Sequence, residues 1–364
     1  MKVLWLFNHP APYKVDLFNL LGRNIELTAL FERVGEKGRN ELFYSRPALS
    51  FRALTCRGLT IGGYQSFSLT PVDLIESEEF DIIVINGYST FTEMKTISYL
   101  KKRKIPYVFC INGGVVRERE SALKRKIKTS LMRGAAYYLC PDEASAEYLV
   151  HYGAERERIT LYPYSTVFES EILSSSLPDT ERRRIAKEEF GIEAERIFVS
   201  AGQFIKRKNL ECLIDIWRSV PSSYRLLLVG EGEEKEKYER LIRKFGLGNI
   251  ELLPYLRKEK LLRLFSSADA FLFPTKEDIY GHVVNESLSS ALPVISSPYS
   301  NAAKKLIKEG ENGFIVDFDD KEAVLKAMEL VKSLSREKCL EVAKANSLEE
   351  SERFFISYFE GLAK

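Results

Sequence analysis

The stretch IFVSAGQFIKRKNLECLIDIW, Ile197 to Trp217, decides how the whole chain is read. An apolar run of strand length ends in a glycine, a basic loop follows, and apolar residues then recur at helical spacing in NLECLIDIW. This is one β-loop-α unit, in which a buried parallel strand hands over to a covering helix. The alternation continues C-terminally. Strands are expected to begin at Leu226 (LLLVGEG), Ile250 (IELLPYL), Ala270 (AFLFPT), Pro293 (PVISSP) and Gly313 (GFIVDF), with helical patterns such as Glu233 to Phe245 and Lys321 to Ser333 between them. It also runs N-terminally, with strands beginning at Val3 (VLWLF), Ile25 (IELTALF), Asp81 (DIIVIN), Tyr107 (YVFCIN), Ala135 (AAYYLCP) and Ile159 (ITLYPYS), and helices such as Lys14 to Leu21 and Glu143 to His151.

From about Phe168 to Glu195 the composition changes to Ser, Pro and dense charge (ESEILSSSLPDTERRR), the mark of a surface connection holding a short polar helix. The fold class is therefore α/β, with two doubly wound Rossmann-like units in tandem, residues 1–170 and 171–347. A last amphipathic stretch, Leu348 to Leu362, follows the completed second unit, so residues 348–364 are expected to pack back on the first. At 364 residues and 45% hydrophobic, the chain can bury two cores. Its 54 basic residues nearly balance 52 acidic ones, which excludes a global field for nucleic acid. Five scattered cysteines and three histidines argue against a disulfide framework and a metal site. The opening apolar run is too short for a signal-peptide core and no run is long enough to span a bilayer, so a cytoplasmic location is expected.

In open α/β sheets ligands sit beyond the carboxyl ends of the strands. Two loops there draw attention. In GQFIKRKN, Gly202 to Asn209, the glycine permits a turn, and Lys206, Arg207 and Lys208 lie near a helix N-terminus that already favours an anion such as a diphosphate. On this loop alone, three solvated basic residues are an equal reading. In KEDIYGHVVNESLSSALPVI, Lys276 to Ile295, Asp278 and Glu286 have seven residues between them, and Gly281 opens a helix expected from His282 to Ser290. Such spacing puts Asp278 in the strand-to-helix loop and Glu286 one turn into the helix. The N–H groups of Gly281, His282 and Val283 are then available to a phosphate between the two carboxylates. The competing reading makes Glu277 and Asp278 capping residues and Glu286 a solvated one.

These residues resemble the retaining glycosyltransferases of family 4, whose GT-B architecture sets two Rossmann-like domains across a cleft. The similarity is most specific from Ile197 to Phe318. In the family's phosphate motif an arginine follows the glycine and a lysine comes five residues later; Lys208 matches the lysine and Gln203 stands in the arginine position, with Arg207 as a substitute charge. The paired-glutamate motif maps onto Asp278 and Glu286, unless Glu277 takes the first role. The resemblance implies that VGEGEE from Val229 faces the nucleotide, that the backbone at Leu256 in PYL reads the base, that GENGFIVDF closes the second domain, and that the helix with FFISYF crosses back to the N-terminal domain.

It further implies a UDP- or GDP-sugar donor, no metal or other cofactor, and transfer to a glycan or lipid-linked acceptor in polysaccharide synthesis. Lys208 and Arg207 would stabilise the departing diphosphate, Glu286 would hold the ribose, and Asp278 or Glu277 would position the sugar. On the acceptor side, NHPAPYKVDLF from Asn8 puts a proline turn where many relatives have a glycine-rich loop, so Tyr13 and Lys14 are expected to face the cleft. Asn112 and Gly113 follow the strand YVFCIN where many relatives place a histidine.

From Lys101 to Arg133 basic residues, among them Arg117, Arg119 and Lys124 to Lys126, heavily outnumber acidic ones, while Leu123, Ile127 and Leu131 recur every four residues. Such a stripe ordinarily packs into its own core. The alternative is a peripheral contact with anionic lipid at the inner face of the membrane. Two rival functions stay open: an epimerase or phosphorylase on the same double fold, for which three histidines offer few proton carriers, and a non-catalytic sugar-nucleotide-binding partner subunit, suggested by Gln203 and Asn112.

Overall fold

A computed structural model describes residues 1–35, 48–61, 65–116 and 119–363. Arg117 of the basic stretch and the terminal Lys364 lie outside the described residues. The chain divides into two units, Met1–Ser165 with Leu348–Lys364, and Thr166–Ser347. The division falls at Ser165 because Thr166 is tied into the second unit, its hydroxyl donating to Glu286 and its carbonyl accepting from Lys258.

The first unit holds strands β1 (Lys2–Phe7), β2 (Glu26–Phe31), β3 (Arg52–Thr55), β4 (Gly58–Ile61), β5 (Gln65–Ser68), β6 (Ile82–Asn86), β7 (Val108–Cys110), β8 (Tyr137–Cys140) and β9 (Ile159–Leu161). Seven of them form a parallel sheet in the order β3-β2-β1-β6-β7-β8-β9, and β4 pairs with β5 as a separate antiparallel ribbon. Val3 to Phe7 in β1 are each at most 2% exposed, which is why this central strand reads as an unbroken apolar run. Strands β3 to β5 escape a reading based on apolar runs, since RALT, GLTI and QSFS are only four residues each and mix polar with apolar residues. They form the edge strand and the ribbon, where solvent tolerates such residues.

The helix Leu348–Leu362 belongs to this unit. Phe355 and Phe359, one turn apart and wholly buried, meet the Trp5 ring at centroid distances of 5.1 and 6.0 Å. Burying each contributes roughly 2–3 kcal/mol. Ser351 and Glu352 add hydrogen bonds to the Pro163 carbonyl and the Asn24 amide.

The second unit has β10 (Arg196–Ala201), β11 (Tyr224–Val229), β12 (Ile250–Leu253), β13 (Ala270–Phe273), β14 (Val294–Ser296) and β15 (Gly313–Ile315), all parallel in the order β12-β11-β10-β13-β14-β15. The order reverses direction between β10 and β13. At such a switch point the flanking loops splay to opposite faces and leave a crevice at the carboxyl ends. The short polar helix expected in the connection is Asp179–Phe190.

Candidate functional site

The two loops singled out by the sequence leave the two strands that flank this switch point. After β10, Gly202 takes φ +152° and Lys206–Lys208 form a 3-10 turn. Asn209 then takes the left-handed conformation before the helix Leu210–Trp217. Phe204, wholly buried, exchanges backbone hydrogen bonds with the loop after β11, from its N–H to Glu231 O at 2.8 Å and from the Glu234 N–H to its own carbonyl at 2.9 Å. The approach is so close that a Cβ on Gly230 would lie 1.9 Å from Gly202 O, which explains the glycine in VGEGEE.

The loop after β13 meets this turn directly. Lys208 Nζ pairs with the Asp278 carboxylate and lies 4.9 Å from the Phe273 ring centroid. Arg207 donates to the Glu277 carbonyl at 2.9 Å, the Lys276 N–H to Arg207 O at 2.8 Å, and the Asn209 amide to Pro274 O at 3.2 Å. The Lys208 and Asp278 side chains are only 12% and 15% exposed, whereas Glu277 is exposed. Burial lowers the Lys208 pKa and the adjacent Arg207 adds to that, while the Asp278 carboxylate opposes both. Asp278 is therefore the carboxylate beside the cation, and Glu277 contributes a carbonyl.

Gly281 takes φ +101°, and a Cβ there would lie 2.7 Å from the Ser300 hydroxyl. The helix runs Val283–Ser289 with His282 as its N-cap, and Glu286 falls in its first turn as its spacing predicts. Glu286 is half-buried, its pKa raised by desolvation against the opposing influence of Lys258 and the Thr166 hydroxyl, which donates at 2.9 Å. Lys258 also bonds Thr166 O and pairs with Glu171. Nothing in the sequence marks Thr166, Glu171 or Lys258 as partners of Glu286, because they are joined to it only by folding. Leu256 lies half-buried after β12, and Gln203 is exposed beside Gly202.

In the first unit one expectation fails. Lys14 does not face a cleft but is wholly buried, its Nζ 4.8 Å from the Trp5 ring centroid and within 6 Å of Phe7, Phe18, Tyr162 and Tyr164. The helix starts at Pro12, so Lys14 shares its inner face with Phe18 and Leu21, at i+4 and i+7. Tyr13 is half-buried with its ring 5.9 Å from that of Tyr164. The Asn112 side chain accepts from the Tyr162 hydroxyl at 3.2 Å, and Gly113 follows at φ +149°.

The basic stretch also departs from its ordinary reading. On the helix Ala122–Met132 only Leu131 and Met132 are buried; Leu123 is 69% and Ile127 45% exposed. Lys124, Arg125 and Lys126 surround them in solvent, whereas Lys128 is taken up by Glu120, and Lys101 by the carbonyls of Ser130 and Arg133. Among the described residues no helix is long and apolar enough to cross a membrane, and no group of three or more His, Cys, Asp or Glu is placed to hold a metal.

Residues 182–347 match the family described as glycosyl transferases group 1. Among curated proteins the chain is similar to the lipopolysaccharide core biosynthesis glycosyltransferase LpsE of Rhizobium meliloti, 28% identical over 37% of this chain and 39% of that one. It is also similar to the lipopolysaccharide glucosyltransferase WaaG of Escherichia coli, 27% identical over 43% and 42%. The matched stretch spans less than half the length of each of these relatives. Two solved structures share the fold over the full length: Anabaena Alr3699/HepE in complex with UDP, TM-score 0.76 at 14% identity with 99% and 100% of the chains covered, and WaaG, 0.69 at 17% with the same coverage. Residues 182–347 are thus a glycosyl transferases group 1 segment, carried in a chain with the GT-B fold.

Proposed function

We propose that the chain is a glycosyltransferase that takes a sugar from a nucleoside-diphosphate donor, UDP- or GDP-linked, and transfers it with retention to a glycan or lipid-linked acceptor. The observation that carries this reading is the Lys208–Asp278 contact, which joins the loops after β10 and β13 at the switch point of the second sheet. Cleaving a sugar–diphosphate bond builds negative charge on the leaving phosphate and positive charge at the anomeric carbon. A fixed cation beside the first and a carboxylate beside the second lower that barrier. Lys208 and Arg207 take the phosphate role, Asp278 orients the sugar once the diphosphate draws Lys208 from it, and Glu286 accepts from the ribose hydroxyls. The positive end of the dipole of the helix Val283–Ser289, which opens at His282 beside this loop, adds to the attraction for the same anion. Members named for lipopolysaccharide synthesis among the relatives support a polysaccharide acceptor. The test is a thermal-shift screen of the full chain against UDP, GDP and their common sugars. A saturable rise with one nucleotide class is expected, and no rise with any would end the donor reading.

The exposed Leu123 and Ile127, ringed by Lys124, Arg125 and Lys126, support a peripheral contact with anionic lipid. Each cation near an anionic surface is worth about 1 kcal/mol, so three predict roughly a hundredfold preference over zwitterionic lipid. Co-sedimentation with vesicles of the two compositions measures it. Leu123→Glu with Ile127→Glu is expected to abolish binding to the anionic vesicles, and equal recovery with both compositions contradicts the proposal.

A further inference from the structure

The opposite edge of the second sheet carries a different cluster. Asp269 directly precedes β13 and Arg196 begins β10, so both stand at the amino ends of the strands whose carboxyl ends carry Lys208 and Asp278. With six residues in β10, the two edges are roughly 20 Å apart. A cavity of about 420 Å³ opens there, within the range of small-ligand pockets. Arg182, Arg183, Arg196, Lys332 and Arg336 line it together with the carboxylates Asp179, Glu195 and Asp269, and Glu329 pairs with Arg196 at 3.9 Å, so five cations meet four carboxylates.

Asp269 is already saturated. It accepts from Arg183 at 2.8 and 2.9 Å, from Arg182 at 3.1 Å and from the Ile197 N–H at 2.7 Å, which uses the four lone-pair sites of a carboxylate. Burial pulls its pKa up, and Arg183, Ile197 and Arg182 together outweigh that and hold it below the ordinary aspartate value. Arg336 donates to the carbonyls of Ala291 and Ala268, both at 2.9 Å, and Arg196 to that of Met328 at 2.8 Å, while their nearest carboxylates, Asp269 and Glu329, are each 3.9 Å away. Burial and the neighbouring Arg182 charge lower the Arg336 pKa to about 10, against the opposing influence of Asp269.

Two donors are left over. Arg182 is 7% exposed, yet its Nε has no hydrogen-bond partner, and neither has the buried Nη1 of Arg183. The other nitrogens are engaged, Arg182 Nη1 with Ala268 O and Asp269, Arg182 Nη2 with Asp179 and Arg183 Nη2 with Asp269. A charged N–H shut away from water without an acceptor is unfavourable, and one such donor on each of two neighbouring guanidiniums suits the oxygens of a tetrahedral oxyanion.

We infer that this cavity is a second anion site, separate from the donor site, which binds a phosphate group, free or on a small phosphorylated metabolite, through Arg182 and Arg183 with Arg196, Arg336 and Lys332 around it. Occupancy ties the helix Asp179–Phe190 to the start of β10, so its first effect is on the stability of the second unit.

The full chain is melted against inorganic phosphate, with chloride at matched ionic strength as the reference. Wild type should gain a saturable rise in Tm with phosphate alone. Arg183→Gln should lose it, and Lys332→Glu, at an exposed lining position, should weaken phosphate at least tenfold. Lys208→Ala, which disables the donor site, should leave it intact. A rise lost in Lys208→Ala and kept in Lys332→Glu would assign phosphate to the donor site and overturn the inference. Equal behaviour of phosphate and chloride would overturn it as well. Repeating the melt with glucose 6-phosphate distinguishes free phosphate from a phosphorylated metabolite: either ligand showing the Lys332 dependence supports the site. None of these readouts requires sugar transfer, so the inference stands or falls apart from the proposed activity.

Discussion

Replacing Lys208 with alanine is expected to lower kcat/KM for sugar transfer by about 10²–10³, the usual consequence of removing one fixed charge from a developing anion. The lysine also has a structural role that must be separated from this. Lys208 and Asp278 are largely buried, so truncating one leaves the other without its counter-charge, at a cost on the order of 2 kcal/mol. Lys208→Ala with Asp278→Asn removes both charges and should recover most of that stability while recovering none of the rate. Denaturant melts and steady-state kinetics on the three variants decide the matter. If activity returned along with stability, Lys208 would be a structural residue and the phosphate assignment would fail. Since burial lowers the Lys208 pKa, the cation should also be lost at a lower pH than an exposed lysine would lose it, and transfer should fall with it on the alkaline side.

Substituting Lys14 with methionine is expected to stabilise the chain at pH 7. Its ammonium is enclosed by aromatic rings, and its Nζ has no hydrogen-bond partner. Burial brings its pKa from 10.5 to about 8. The unfolded chain therefore holds more protons than the folded one between those values, and wild-type stability should rise as pH climbs through that window. The shift corresponds to at most about 3 kcal/mol, and attraction to the ring faces offsets part of it, so a gain of roughly 1–3 kcal/mol is expected for Lys14→Met. Urea unfolding at pH 8 and pH 10 measures the difference, which should shrink at the higher pH. Burial also raises the carboxyls of Glu32 and Glu93, to about 8 and about 7, so their contribution falls as pH rises through those values; wild type and variant share both groups, so they cancel in the difference. A variant less stable than wild type at both values would mean that the caged ammonium holds the core together.

Lys14 also shows what the sequence reveals and what it hides. The proline turn drew attention to the loop, but the helical phase of Lys14, Phe18 and Leu21 was the better guide, and it places the lysine inside. Asp278 and Glu286 were legible because their spacing fixes one in a loop and the other a turn into the helix, whatever the rest of the chain does. The partnership of Lys208 with Asp278 spans 70 residues and arises only when β10 and β13 pair. The same holds for Thr166 and Lys258 around Glu286. Strands β3 to β5 stayed hidden because edge positions demand no apolar run. For Leu123 and Ile127 periodicity alone does not separate the core reading from the lipid-contact one, since exposed and buried stripes share one spacing.

Calorimetric titration of the full chain with UDP, GDP and the matching nucleosides tests most directly whether the loops after β10 and β13 form a diphosphate site. One diphosphate should bind at least about a hundredfold tighter than its nucleoside, roughly 2.7 kcal/mol, and Lys208→Ala should close most of that gap. Equal affinity for nucleoside and diphosphate, or a gap that Lys208→Ala leaves untouched, would contradict the account.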